Sequence, residues 1–168
     1  MCGFVLNQHL NKVTQGDCLD VMREMPDNCV DLVLTDPPYG IGVCKSGKVG
    51  GNNVCAVTNY GKQEWDNAIL SKEYFDEIFR VSKNQIIFGG NYFVEYLKNS
   101  SCWIVWDKDN RNNNFADCEL AWTSFKTATR KFKYRWNGML QEDMKYKEKR
   151  VHPTQKPVPL FRWILGKY

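Results

Sequence analysis

The sequence predicts an α/β fold: a mainly parallel sheet with helices on both faces and an antiparallel hairpin at one edge. Three observations lead there. Short runs of β-branched and other apolar residues alternate with stretches whose apolar residues recur at helical spacing. The last two strand-like runs follow one another with no helical pattern between them, which makes them a hairpin. A glycine-rich, aperiodic stretch begins directly after one buried strand run, at the carboxyl edge where such sheets bind ligands.

In chain order, residues 12–15 form a short strand candidate ending at Gly16-Asp17, after which Leu19, Val21, Met22 and Met25 fall at helical spacing until Pro26-Asp27-Asn28. Residues 30–35 have the continuous apolar character of a strand buried on both faces. From Asp36 to about Glu64 nothing is periodic, and a long flexible loop is expected at about 40–64. Ser71 can cap a helix whose Tyr74, Phe75, Ile78 and Phe79 form one stripe. A buried strand follows at 85–88, then the turn Gly89-Gly90-Asn91, a short helical pattern over 92–97 and a strand at 102–106. Strands at 119–125 and 131–136 make the expected edge hairpin, and Pro159 opens a terminal helix over 160–165.

With 168 residues and 43% hydrophobic content, the chain reads as a single domain, 1–168. No apolar run approaches a membrane span and no basic-then-apolar leader is present, so the expected location is cytoplasmic. The 7 cysteines are scattered without CxxC spacing and read as reduced thiols; Cys44 and Cys55 in the loop make no metal site with two distant histidines. The net charge of +4 is weighted toward residues 126–149, which suits an anionic partner or a solvated face equally.

The segment Thr35-Asp36-Pro37-Pro38-Tyr39-Gly40 carries the chemistry. The lone pair of a nucleobase amino group is delocalised into the ring, so the nitrogen is a poor nucleophile until its hydrogens are held out of plane. The Asp36 carboxylate can accept one N–H and the Pro37 carbonyl the other, while consecutive prolines fix φ and add no competing donor. Tyr39 offers a flat face to a base rotated out of its stack. The competing reading is a plain turn capped by Asp36. For nucleic acid, Lys131, Lys133 and Arg135 alternate with Phe132, Tyr134 and Trp136, which makes one strand face basic; an edge strand with its aromatics in the core fits equally. Lys45, Lys48 and Arg111 are further candidates for phosphate contacts.

The segments GDCLDVM, VDLVLTDPPYG, IIFGGNYF, CELAWTSF and HPTQKPVPL, in this order, resemble the beta group of DNA adenine methyltransferases, and the resemblance spans nearly the whole chain. It implies an incomplete Rossmann-like S-adenosylmethionine-dependent methyltransferase sheet, double-stranded DNA as partner, and a restriction-modification or phage setting. It implies that Asp17, with Cys18 beside it, contacts the adenosine part of S-adenosylmethionine. It also implies that Asp36 borders the cofactor, and that His152, Pro153, Thr154, Gln155, Lys156 and Pro157 lie near its methionine end, where Lys156 and Thr154 suit a carboxylate. The catalytic set is then Asp36, Pro37, Pro38 and Tyr39, and aspartate rather than serine at the first position implies adenine N6 over cytosine N4.

In that family a Phe-x-Gly-x-Gly cofactor loop and a ribose-binding acid follow HPTQKP, whereas this sequence stops at Tyr168. The expectation is a truncated form with weak or no cofactor binding and activity. Its N-terminal strand would shift to pair with the catalytic strand, or a partner chain, such as a second copy, would cover the exposed sheet edge. The alternatives are an inactive DNA-binding remnant, or an amino-methyltransferase acting on cytosine N4 or on RNA.

Overall fold

The computed structural model describes residues 9–43, 45, 48–49, 58–62, 64–110, 116–137 and 140–168. Its elements run α1 (Cys18–Glu24), β1 (Val30–Thr35), β2 (Lys48–Val49), β3 (Thr58–Asn59), α2 (Lys72–Val81), β4 (Ser82–Phe88), β5 (Trp103–Asp107), β6 (Cys118–Thr123), β7 (Arg130–Lys133), β8 (Trp136–Asn137), β9 (Leu140–Gln141) and α3 (Val158–Lys167). Five strands form one sheet in the order β1-β4-β6-β5-β7; β2 with β3 and β8 with β9 are separate short hairpins.

β1 lies parallel to β4, with Val30 opposite Ser82 and Thr35 opposite Ile87, and β7 lies parallel to β5. β6 runs antiparallel to both of its neighbours, β4 and β5. Four of the five strands therefore share a direction, and the antiparallel strand is internal. The expected edge hairpin of 119–125 with 131–136 does not form, for two physical reasons. Residues 121–123 of β6 pair with β4 and residues 118–122 with β5, so both hydrogen-bonding sides of β6 are taken and none is left for β7. The link to β7 is also held across the start of β5: Ser101 Oγ donates to Thr127 O at 3.1 Å, and Thr129 Oγ1 donates to Ser101 O at 3.1 Å. The chain thus crosses β5 and lands on its far side. The exposed Arg130, Lys131 and Lys133 suit that edge, because charged side chains discourage pairing with another sheet.

Alternation along the strands builds a core on each face. Ile86, Phe88, Ile104, Trp106 and Ala121 pack with Trp136 and with Leu160 and Ile164 of α3. Ile87 and Trp122 point the other way, toward Met22 of α1 and Phe75, Ile78 and Val81 of α2. Helices on both faces are what the alternating pattern predicts.

Two local expectations fail. Residues 12–15 form no strand, and Val13 is 100% exposed: one apolar side chain among Lys12, Thr14 and Gln15 has too little to bury. The N-terminal segment accordingly does not move in beside β1, whose one strand partner among the described residues is β4. The pattern at 92–97 is a 3-10 turn, Gly90–Tyr92, followed by turns, in which Phe93 and Tyr96 both pack on Phe75 (centroids 5.1 Å for each pair). Among the described residues no helix is long and apolar enough to cross a membrane.

Because α3 covers one whole core, Ile164→Ala should lower the unfolding free energy by about 2–5 kcal/mol. Leu165→Ala, on the exposed face of the same helix, should change it by less than about 0.5 kcal/mol. Urea titration of both variants checks the pair.

Candidate active site

Because β1 and β4 are parallel and in register at Thr35 and Ile87, the loop after β1 and the turn after β4 leave the sheet side by side. Pro37 is buried and Pro38 half-buried, so the two prolines set a stiff path out of the strand. That path returns Tyr39 over the end of β4, where its ring stacks on Tyr92 (5.0 Å, 15°) and meets Phe93 edge-on (6.1 Å, 65°). Beneath the ring lies Gly89, at φ +68°, where a Cβ would collide with Tyr39; glycine answers both constraints. The far side of the loop is tied down by Asp66, which is 2% exposed. Its two carboxylate oxygens accept from the Gly40 and Val43 N–H groups at 2.9 Å each.

A buried ammonium closes the site. Lys156 donates to Asp36 Oδ2 and, at 3.2 Å, to the Tyr39 hydroxyl, which itself donates to Asp36 Oδ1 at 2.7 Å. The Lys156 side chain is 4% exposed and its Nζ stands over the Phe88 and Tyr39 rings at 4.8 and 5.5 Å. Behind it, Glu119 Oε2 lies 3.3 Å from Lys156 Nζ, and Glu119 Oε1 accepts from Lys108. The result is a row of alternating charge, Asp36–Lys156–Glu119–Lys108, with no net charge. Neutrality matters because an unpaired buried ion costs several kcal/mol. Burial, followed by the charges of Asp36 and Glu119, pushes the Tyr39 phenol far above its ordinary value, so Tyr39 is a hydrogen-bond donor, never a phenolate. Burial alone would raise Glu119, but Lys156 and Lys108 outweigh it and hold the carboxyl below its ordinary value.

Of the residues singled out in the sequence, Asp36, Pro37, Pro38, Tyr39 and Lys156 come together here. Asp17 and Cys18 do not share the cluster's hydrogen bonds or ion pairs. Asp17 caps α1 by accepting from the Leu19 N–H at 2.9 Å, and accepts from the Tyr74 hydroxyl at 2.8 Å. Those two hydrogen bonds hold its carboxyl below the ordinary value. Beside it, the Cys18 thiol is pushed up by partial desolvation against the protein and by the Asp17 charge, although the residue as a whole is exposed. His152 packs on Trp65 (centroids 5.3 Å) and its Nδ1 lies 3.0 Å from Thr154 Oγ1. Gln155 accepts from the Val151 N–H at 2.8 Å. Lys156 does not face an open carboxylate site; its ammonium is already shared between Asp36 and Glu119.

Along the β7 edge, each candidate cation has a carboxylate: Lys131 with Asp107 (3.4 Å), Lys133 with Asp109 (3.0 Å) and Arg135 with Asp109. The aromatic half of that strand packs inward, Phe132 stacking on Tyr134 (5.8 Å) and meeting Trp163 (5.2 Å). Lys45 is exposed and Lys48 lies in β2, while Arg111 falls outside the described residues. Glu119, Lys108, Tyr92 and Asp66 were not anticipated. Glu119 had a signal, a carboxylate inside the otherwise apolar run CELAW, which a buried strand tolerates only with a counter-charge.

Chemically, the cluster is a half-open carboxylate held rigidly at a strand end. The Asp36 side chain is 32% exposed, and a carboxylate has more acceptor positions than the two donors it now receives.

No family model matches the chain. It is similar to type II methyltransferases. The match to M.HinfI of Haemophilus influenzae is 24% identical over 206 aligned positions, covering 95% of this chain and 56% of the relative. A shorter match to M.BglII of Bacillus subtilis is 51% identical over 39 residues, 23% of this chain and 11% of the relative. M2.MboI of Moraxella bovis is 35% identical over 54 residues, 32% of this chain and 18% of the relative. The chain thus spans little more than half the length of the longest-matched of these relatives.

The depressed Glu119 value has a pH consequence. A carboxyl lowered on folding gives stability that is complete above its unfolded value, near 4.5, and is lost as pH falls through the folded value. The stability difference between wild type and Glu119→Gln should therefore be largest at neutral pH and shrink on acidification below about pH 4.5. Urea unfolding at a series of pH values measures it; a difference constant down to about pH 3 would contradict the paired carboxylate.

Proposed function

We propose that this chain carries the catalytic residues of a DNA methyltransferase that acts on the N6 amino group of an adenine turned out of the duplex, with S-adenosylmethionine as donor. The observation that carries the reading is the Asp36 carboxylate, set at the carboxyl end of β1 by two prolines and backed by the buried Lys156. Similarity to type II methyltransferases supports the reaction class.

In this reading Asp36 accepts one amino hydrogen and the Pro37 carbonyl the other, which frees the nitrogen lone pair from the ring. The Tyr39 ring carries the base, and Tyr92, 43% exposed, is the ring that yields its place on Tyr39. Bound S-adenosylmethionine supplies an electrophilic methyl group. Asp17 and the His152–Thr154 segment keep exposed or half-buried polar atoms suited to holding it, whereas Lys156 is committed to Asp36 and Glu119 and fits poorly as a carboxylate anchor. Phosphate contacts fall to Lys45, Lys48, Arg111, Lys131, Lys133 and Arg135. At the β7 edge phosphates must compete with Asp107 and Asp109 for the cations, which makes those contacts weak and salt-sensitive.

Incubating the protein with methyl-free genomic DNA and labelled S-adenosylmethionine, then separating the nucleosides, tests this. Label in N6-methyldeoxyadenosine is expected, and Asp36→Ala should reduce it by at least about 100-fold. Label in N4-methyldeoxycytidine, or in RNA but not DNA, would overturn the assignment of target.

A further inference from the structure

We infer that Glu119 is a positioning residue: it provides the second berth for the Lys156 ammonium, so that Lys156 can leave Asp36 when the substrate amino group arrives. The inference rests on the function proposed above and extends it to a residue that touches neither base nor donor.

Four features support it. First, both Asp36 oxygens are taken, Oδ1 by the Tyr39 hydroxyl and Oδ2 by Lys156. An ammonium on Oδ2 draws off the charge needed to hold an amino hydrogen out of the ring plane, so Asp36 is a stronger acceptor without it. Second, Glu119 Oε2 is fully buried and accepts no hydrogen bond, although Lys156 Nζ is 3.3 Å away. A buried carboxylate oxygen held at ion-pair distance gains from a fully aligned donor, and the nearest one needs only to be turned. Third, the berth is fixed: Lys108 holds Glu119 Oε1 and itself lies over the Trp106 ring at 5.0 Å. Fourth, the Lys156 ammonium sits over the Phe88 and Tyr39 rings and its side chain is buried, which confines the exchange to its terminal torsions. An ammonium has three donors, and Lys156 uses two. No proton is transferred and the row keeps its net charge. Lys156 keeps its ion pair with Glu119 and closes it to a hydrogen bond as the substrate N–H replaces the ammonium on Asp36.

A purely structural Glu119 would neutralise Lys156 and Lys108 and do no more. The two roles separate in kinetics. Methyl transfer into methyl-free genomic DNA would be measured for wild type, Glu119→Gln, Lys156→Met and the double variant, with urea unfolding alongside. Glu119→Gln should lower kcat by roughly 10- to 100-fold with the KM for DNA within about 2-fold, because Lys156 stays on Asp36. In the Lys156→Met background the same change should cost less than about 3-fold, since the group it acts through is gone. Equal losses in both backgrounds, or a loss confined to KM, would overturn the inference. Should Glu119→Gln not fold, Glu119→Asp keeps the charge and shortens the reach; an unchanged kcat in it would overturn the inference equally.

A readout independent of turnover is the 15N–1H signal of the Lys156 ammonium. It should shift when a duplex with an adenine opposite an abasic site is added, and a signal that stays put in protein that binds the duplex refutes the exchange. Wild-type protein that neither binds nor labels DNA would defeat the proposed function itself, and the inference with it.

Discussion

The ammonium of Lys156 and the carboxylate of Asp36 meet across 120 residues of chain, with the lysine side chain buried to 4% exposure. Taking the carboxylate away from a buried ammonium is costly even where the carboxylate is partly exposed, which makes the pair a constraint on register. Here it fixes how the last segment returns to the sheet. Pro157 follows Lys156 and α3 begins at Val158, so the pin on Asp36 also sets where the helix covering one core enters. Trp136 donates to the Gln155 carbonyl at 2.7 Å and steadies the same approach from the other side.

The rest of the site depends on this pin in a definite order. Lys156 meets a second carboxylate behind Phe88 and Tyr39, and β6 supplies it as Glu119 because β6 lies beside β4. Lys108, directly after β5, then completes the charge balance. An internal antiparallel β6 is therefore more than a topological detail. With the edge hairpin expected from the sequence, Glu119 would not adjoin β4, and Lys156 would lack its second partner.

Much of this was legible in local pattern. The stripe of α2, the apolar run of β4 and the proline-opened α3 sit close to where periodicity put them, because each signal lies within a few residues. The stiff exit Asp36–Tyr39 was legible too, since two prolines after a strand fix the path of the chain whatever the loop does. What was not legible is non-local. Nothing in residues 118–133 says that the chain crosses β5 before pairing, and nothing in HPTQKP says that its lysine meets Asp36 rather than a bound carboxylate. No strand forms at 12–15 because Val13 is its one apolar side chain and finds nothing to pack on. Glu119 was within reach of sequence reasoning, because a carboxylate in a buried strand demands a partner, but the partner's identity was not.

The pin itself is open to direct measurement through a double-mutant cycle on unfolding free energy with Asp36→Asn, Lys156→Met and both. If the pair is the buried constraint described, each single change is costly and the double variant recovers part of the loss, with a coupling of at least about 1 kcal/mol. Additivity within about 0.3 kcal/mol would mean that Asp36 and Lys156 do not depend on each other, and would contradict the account at its base.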